Sequence, residues 1–318
     1  MDFGFVDNRK LDIWYRQTLQ TLLKTIAQAQ RNMQPAKYGY GEGISRVNVN
    51  RDILVGGKSI LGSNFERESD KTIRMVRIDN QSGKPIALIV NHATHAVIMN
   101  GALEGLGTSL SADLGLASSK VEKQLSNAIV LWSSGAAGDQ NPRICAQQTL
   151  IDPQGRPNHK MLGIKASSVL LEYLTDEHAR DILATHRQIE AQQTHAPITT
   201  RTKTVSAEKK TGGDKQDYRL QLFTIGNLAF QTVSAEVVSS IGREIMKRSP
   251  YPHTILMTLT NGYAGYIADD WHYDHEAFEA DDGVNNTKKG ASKKAVIAGF
   301  EQLAAQWAET QPAPSTAH

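Results

Sequence analysis

A single cysteine, Cys145, stands in 318 residues. One thiol excludes an internal disulfide and any cysteine-rich zinc module. Charge of one sign is also lacking: 35 Lys+Arg face 33 Asp+Glu, a net charge of +2. The chain therefore has no basic footprint for nucleic acid. No window approaches the ~18 consecutive apolar residues of a membrane-spanning helix, and no apolar segment stands out as built for docking on a membrane. Met1–Lys10 (MDFGFVDNRK) has no basic stretch followed by an apolar one, so the sequence as written is expected to carry no signal peptide. At 40% apolar residues it is not a disordered chain.

The length is compatible with two domains at ~150 residues each or with one large α/β unit. The expectation is a single domain over 1–309, with 310–318 (TQPAPSTAH) as a tail or linker. From Leu11 to Asn32, apolar residues recur at three- and four-residue steps and predict an amphipathic helix, capped by Asp7 or Asn8. Pro35–Arg51 reads as strand and loop, and Thr72–Ile78 alternates as a strand. Pro85–Asn91 (PIALIVN) and Ala128–Trp132 (AIVLW) are apolar runs typical of strands buried on both faces. Helices are expected at Ala112–Leu125, at His159–Leu174 and Glu177–Gln193 with a break near Thr175-Asp176, at Glu236–Lys247 and at Ala291–Glu309. Ile198–Val205, Arg219–Ile225, Leu228–Val233 and Thr254–Leu259 read as strands, with Gly226-Asn227 as a hairpin turn. Alternating strands and helices with a hairpin predict an α/β class with mixed sheets flanked by helices.

Three motif fragments fail on mechanism. Gly56-Gly57-Lys58-Ser59 resembles the end of a phosphate loop, but Asp52 occupies the place of its leading glycine and no helix pattern follows. Gly105-Leu106-Gly107 lacks a third glycine and a preceding strand. Ser133-Ser134-Gly135 follows a strand without a G-x-S-x-G elbow.

Four strand ends carry the candidate chemistry, because side chains leave the core there and can converge. Pro85–Asn91 runs into NHATHAVIMN, with His92 and His95; a neutral imidazole is a good zinc ligand, although it also serves simply as a hydrogen-bonded strand end. Trp132 leads into SSGAAGDQNPR, holding Asp139, Asn141 and Arg143. Val233 leads into Ser234-Ala235-Glu236, where a first-turn helix charge is the plainer role for the glutamate. Leu259 leads into TNGYAGYIADDWHYDHEAFEA, in which Tyr263 and Tyr266 are either functional or an aromatic plug.

In this order and spacing, AKYGYGEGISRVNVNRD, ALIVNHATHAVIMN with SADLGLAS, GAAGDQNP, LFTIGNLAFQTVSAE and NGYAGYIADDWHYDHEAFEA resemble the amino-terminal catalytic domain of the neutral/alkaline non-lysosomal ceramidase family, over about Leu11–Gln302. The resemblance implies a hydrolase that cleaves the amide of an N-acylsphingosine or related lipid with one Zn2+. It implies His92, Glu236 and Tyr266 as metal ligands, with Tyr263 the alternative phenol, and Arg51 on the substrate side. The family's first histidine belongs to a T-H-T-H segment with no counterpart before the opening helix, so the resemblance implies a chain incomplete at its amino terminus, with His95 a conceivable substitute ligand. The family's catalytic serine is matched by Asn141, which cannot be a nucleophile but can donate to an oxyanion, as can Tyr263. Phe278 stands where many members have tyrosine. Asp139 is the candidate for orienting a ligand or donor. The resemblance further implies a secreted or periplasmic protein. Rival expectations are an inactive homologue acting as a binding module and a metal-free hydrolase.

Overall fold

The computed structural model describes residues 8–100, 113–126 and 128–310. Helix α1 (Asn8–Arg31) precedes β1 (Ala36–Ile44), β2 (Asn48–Val55), β3 (Lys58–Asn64), β4 (Thr72–Asn80) and β5 (Pro85–His92). Helix α2 (Asp113–Gln124) is followed by β6 (Ile129–Ser134), β7 (Gln140–Pro142), β8 (Gln147–Ile151), β9 (Pro157–Met161) and α3 (Ile164–Gln188). The remainder runs β10 (Ile198–Glu208), β11 (Lys215–Ile225), β12 (Leu228–Val233), β13 (Glu236–Val237), α4 (Ser239–Lys247), β14 (His253–Met257), β15 (Tyr266–Ile267), α5 (Asp270–Asp274) and α6 (Ala291–Thr310).

Two four-stranded mixed sheets dominate, in the orders β1-β4-β5-β6 and β10-β11-β12-β14, each with one parallel pair at an edge. Period-2 alternation gives each sheet two apolar faces. Val76, Leu228, Phe230 and Ile255 pack sheet on sheet, joined by Ile78, Ile89 and Phe223. The opposite residues of the first sheet, Ile73, Met75, Leu88 and Val90, pack on Val121 of α2 and Ile182 of α3. Those of the second, Tyr218, Leu220 and Leu222, pack on Val296 and Phe300 of α6. The result is four layers, helix–sheet–sheet–helix, in agreement with the expected α/β class. Among the described residues, no helix is long and apolar enough to cross a membrane.

Two glycine-bearing turns are two-residue hairpin loops. Gly226-Asn227 joins β11 to β12, with Gly226 at φ 58°. Gly56-Gly57 joins β2 to β3, with φ of 58° and 86°, so the phosphate-loop look-alike is a hairpin. The Gly105-Leu106-Gly107 fragment and residues 311–318 of the tail lie outside the described residues.

Four local expectations need correction. The run Ala128–Trp132, expected to be buried on both faces, forms the edge strand β6, with Ile129 and Leu131 more than half exposed. The two helices expected over His159–Gln193 are one, α3, preceded by strand β9. The Thr175 hydroxyl donates to the Leu171 carbonyl (2.8 Å) within the helix. Lys120 of α2 reaches both Thr175 (3.0 Å) and Asp176 (2.6 Å), so these polar residues are absorbed without a break. The helix expected from Glu236 starts at Ser239, because Glu236-Val237 pairs as β13 with β15. The strand expected to reach Leu259 ends at Met257, and Leu259 turns at φ 56°.

Phe230 sits in the sheet–sheet layer, 5.6 Å from the Phe223 ring. Phe230→Ala is expected to destabilise by about 3–5 kcal/mol. A lower urea midpoint at unchanged m-value is the check; a midpoint like that of the wild type would remove Phe230 from the packing core.

Candidate active site

Parallel pairing aligns the carboxyl ends of β5 and β6, with His92 opposite Ser134. From there β5 continues through Ala93-Thr94 to His95. The chain after β6 makes the loop Gly135–Asp139 and enters β7, which pairs with β2 and sets Asn141 opposite Val49. Asp139 accepts from the Ser239 N–H (2.7 Å), the Ser239 hydroxyl (2.9 Å) and the Asn50 amide (3.0 Å), tying this loop to the start of α4 and to β2. Its carbonyl accepts from Arg51 N–H (2.9 Å). Gly138 passes so close to β13 that a Cβ there would lie 2.8 Å from the backbone of Val237 and Val238.

The two-residue pairing of β13 with β15 sets Glu236 directly beside Tyr266. His95 completes the group. Its Nε2 lies 2.6 Å from Glu236 Oε2 and 3.4 Å from the Tyr266 hydroxyl, while its Nδ1 donates to the Gln140 carbonyl at 2.9 Å. That donation places the lone pair of a neutral His95 on Nε2, facing a carboxylate oxygen at 2.6 Å. Two lone pairs at that distance repel, so a proton or a metal cation must lie between them. An imidazole oriented by a backbone carbonyl, with a carboxylate and a phenol converging on its free nitrogen, is a donor set that fits a divalent cation. Burial opposes the charge on Glu236, but the hydrogen bond and charge of His95 hold its pKa below the ordinary value. Burial and the Glu236 charge push the Tyr266 and Tyr263 phenols up.

A cavity of about 300 Å³ opens on this group; Arg51, His95, Asn141, Glu236, Tyr266 and Phe278 are among its lining residues. Arg51 is buried, its Nε donating to Glu279 at 2.6 Å, its guanidinium 5.5 Å from the Tyr266 ring and 5.2 Å from the Phe278 ring. Burial disfavours its charge, yet the adjacent Glu279 carboxylate holds its pKa above the ordinary value. Burial drives Glu279 itself up, to about 7.

Beside Arg51 lies a second group of ligating atoms. Asp52, Asp139 and His272, all buried, bring theirs within 4.8 Å of one another, a grouping that could hold a metal. Its electrostatics are those of an ion-pair network. His272 Nδ1 donates to Asp269 (2.6 Å), and its Nε2 is 3.3 Å from Asp52. Burial lowers the His272 pKa, but these two carboxylates raise it further, to about 10. The imidazolium already supplies the positive charge a metal would bring, and the Asp139 oxygens are engaged by Ser239 and Asn50.

Of the residues singled out from sequence, Glu236, Tyr266, Arg51 and Asn141 meet at the cavity. Tyr263 is half exposed beside Glu236, and Asp139 braces the loop from beneath. His92 does not line the cavity. It is fully buried, its Nδ1 3.1 Å from the Thr72 carbonyl and its ring 5.1 Å from that of His178, and burial lowers its pKa to about 4. His95, three residues further and beyond the strand end, takes the place beside Glu236. His272, Asp52 and Glu279 escaped sequence reasoning; the only signal was their crowding with Arg51 in NRD and with the Trp/His/Tyr-rich segment.

No family model matches the sequence, and no curated protein matches it. Solved structures do. A neutral ceramidase from Pseudomonas aeruginosa superposes with a TM-score of 0.68 at 15% identity, over 93% of this chain and 56% of that one. The fold is a ceramidase fold. A ceramidase complexed with C2 agrees, at TM-score 0.67 and 14% identity, over 92% of this chain and 56% of that one. The chain thus spans just over half the length of either ceramidase.

The His272 charge gives a pH signature. Its folded pKa of about 10 exceeds the free value of 6.5, so its ion pairs contribute stability that is full below pH 6.5 and lost as pH rises through 10. The denaturation midpoint of the wild type is expected to fall over that window more steeply than that of His272→Gln; parallel slopes would show that His272 is not held as the cation.

Proposed function

We propose that the chain is a zinc-dependent amide hydrolase of ceramidase type, acting on an N-acylsphingosine or a related lipid amide. The observation that carries this reading is the convergence of His95 Nε2, a Glu236 oxygen and the Tyr266 hydroxyl at the mouth of one cavity. Those three are the proposed ligands; the ceramidase fold supports the choice of amide chemistry. His95, Glu236 and Tyr266 would hold the zinc, which when bound would supply a Lewis acid and lower the pKa of water from 15.7 toward ~7.

The chain's own residues do the rest. The Gln140 carbonyl fixes the His95 tautomer, and the Glu236 carboxylate neutralises positive charge at the cavity mouth. Arg51, kept cationic by Glu279, and the Asn141 amide are donors for the oxyanion that develops when the substrate carbonyl is attacked; losing one such donor typically costs ~10²–10³ in rate. Tyr263, with its phenol beside Glu236, is placed to hand a proton to the leaving amine. An extracytoplasmic setting, secreted or periplasmic, belongs to the same reading and rests on the ceramidase resemblance.

A second reading, an inactive homologue that binds without turnover, is favoured by Asn141 in the place of a nucleophile. Metal analysis of the purified chain separates the two, together with hydrolysis of a short-chain N-acylsphingosine. The wild type is expected to hold one zinc and to lose activity on chelation, regaining it with added zinc. His95→Ala and Glu236→Ala should each lose the metal, and His92→Ala should keep it. Stoichiometric zinc in both of the first two variants would remove them from the ligand set. Loss in His92→Ala alone would return that role to His92. Zinc without turnover would establish the binding module.

A further inference from the structure

We propose that α1 is an interfacial helix that docks the protein on an anionic lipid surface. None of its described side chains is buried. Leu11, Trp14, Tyr15, Leu19, Leu22 and Ile26 recur at helical spacing, and all stand open to solvent; Trp14 is 62% and Leu22 54% exposed.

The opposite face carries Arg9, Lys10, Arg16, Lys24 and Arg31 against a single acid, Asp12, which Arg16 engages at 2.9 Å. The whole chain nets only +2, so positive charge is concentrated on this one element. Low overall hydrophobicity, a Trp/Tyr/Leu face and a Lys/Arg face are the features of helices that lie in the plane of a membrane interface. The basic side chains are complementary to anionic headgroups.

The shape of the stripe favours a flat partner over a second copy. It covers roughly half the circumference, whereas a two-helix seam is a narrow line of a and d positions. The line Tyr15-Leu19-Leu22-Ile26-Ala29 is apolar throughout, but Trp14 and Leu23, both exposed, lie on either side of it and would be left in water by a two-helix seam.

The test uses the full chain and vesicles of phosphatidylcholine, with and without phosphatidylglycerol, read by co-sedimentation and by the fluorescence difference between wild type and Trp14→Phe. Partitioning is expected to be at least about tenfold stronger with phosphatidylglycerol, to weaken with added salt, and to be abolished by Leu19→Glu/Leu22→Glu with circular dichroism unchanged. Lack of binding to either vesicle overturns the proposal, as does equal binding to both. A concentration-dependent dimer that the double variant dissociates, without vesicle binding, assigns the face to a second copy instead. Binding is read without turnover, so its failure is distinct from failure of the hydrolase reading.

Discussion

A two-residue stretch of parallel pairing governs the site. Glu236 and Tyr266 are 30 positions apart in sequence and adjacent in space only because β13 and β15 exchange backbone hydrogen bonds. So short a pairing has little strength of its own and is held from outside. Gly138 N–H donates to Val237 (2.8 Å), and Val238 N–H donates to Ile267 (3.2 Å). Asp139 grips the first residue of α4. The tight glycine and the buried aspartate of the GAAGD loop therefore do their work one layer behind the cavity. They set the angle at which an acid and a phenol meet the imidazole of His95.

Around that pairing the interior is unusually ionic. Arg51, Glu279, Asp52, His272 and Asp269 form a chain of buried or nearly buried charges. Removing each from water costs several kcal/mol, and only mutual pairing offsets it. Well-packed apolar residues would serve stability as well or better. What the network secures is position and charge: a guanidinium that cannot lose its proton, pinned by Glu279 across the Tyr266 ring. Truncating Glu279 leaves the Arg51 guanidinium charged in the interior without its carboxylate partner, whereas His272 keeps one of its two carboxylates when the other is removed.

The fold was legible in the sequence wherever one physical rule dominated. Buried strands such as PIALIVN announce themselves because both faces need apolar side chains, and Gly226-Asn227 announces a hairpin because few residues close a two-residue loop. Legibility failed where a choice between neighbours depended on the third dimension. His92 and His95 differ by three residues, and only the course of the chain after Asn91 sends one inward to His178 and the other toward Glu236. His272 carried no local mark at all, since its partners Asp52 and Asp269 come from distant and adjacent segments alike. Thr175 looked like a helix breaker because its hydroxyl competes for backbone bonds; in α3 that same bond is made within the helix.

Cavity size bears on what a lipid amide would have to do here. About 300 Å³ is at the low end for a ligand site, and its wall mixes Ser63, Asn100, Asn141, Gln147 and Thr149 with Leu61, Val97, Cys145 and Phe278. Such a space suits an amide and the first carbons on either side; a long acyl chain would remain outside. Leaving that chain in water would forfeit ~0.8 kcal/mol for each methylene exposed. Leaving it in a bilayer forfeits nothing. On the proposed hydrolase reading, a small site and an amphipathic helix with an exposed apolar face would be two parts of one arrangement, in which the membrane keeps the tails and the protein takes only the bond to be cut.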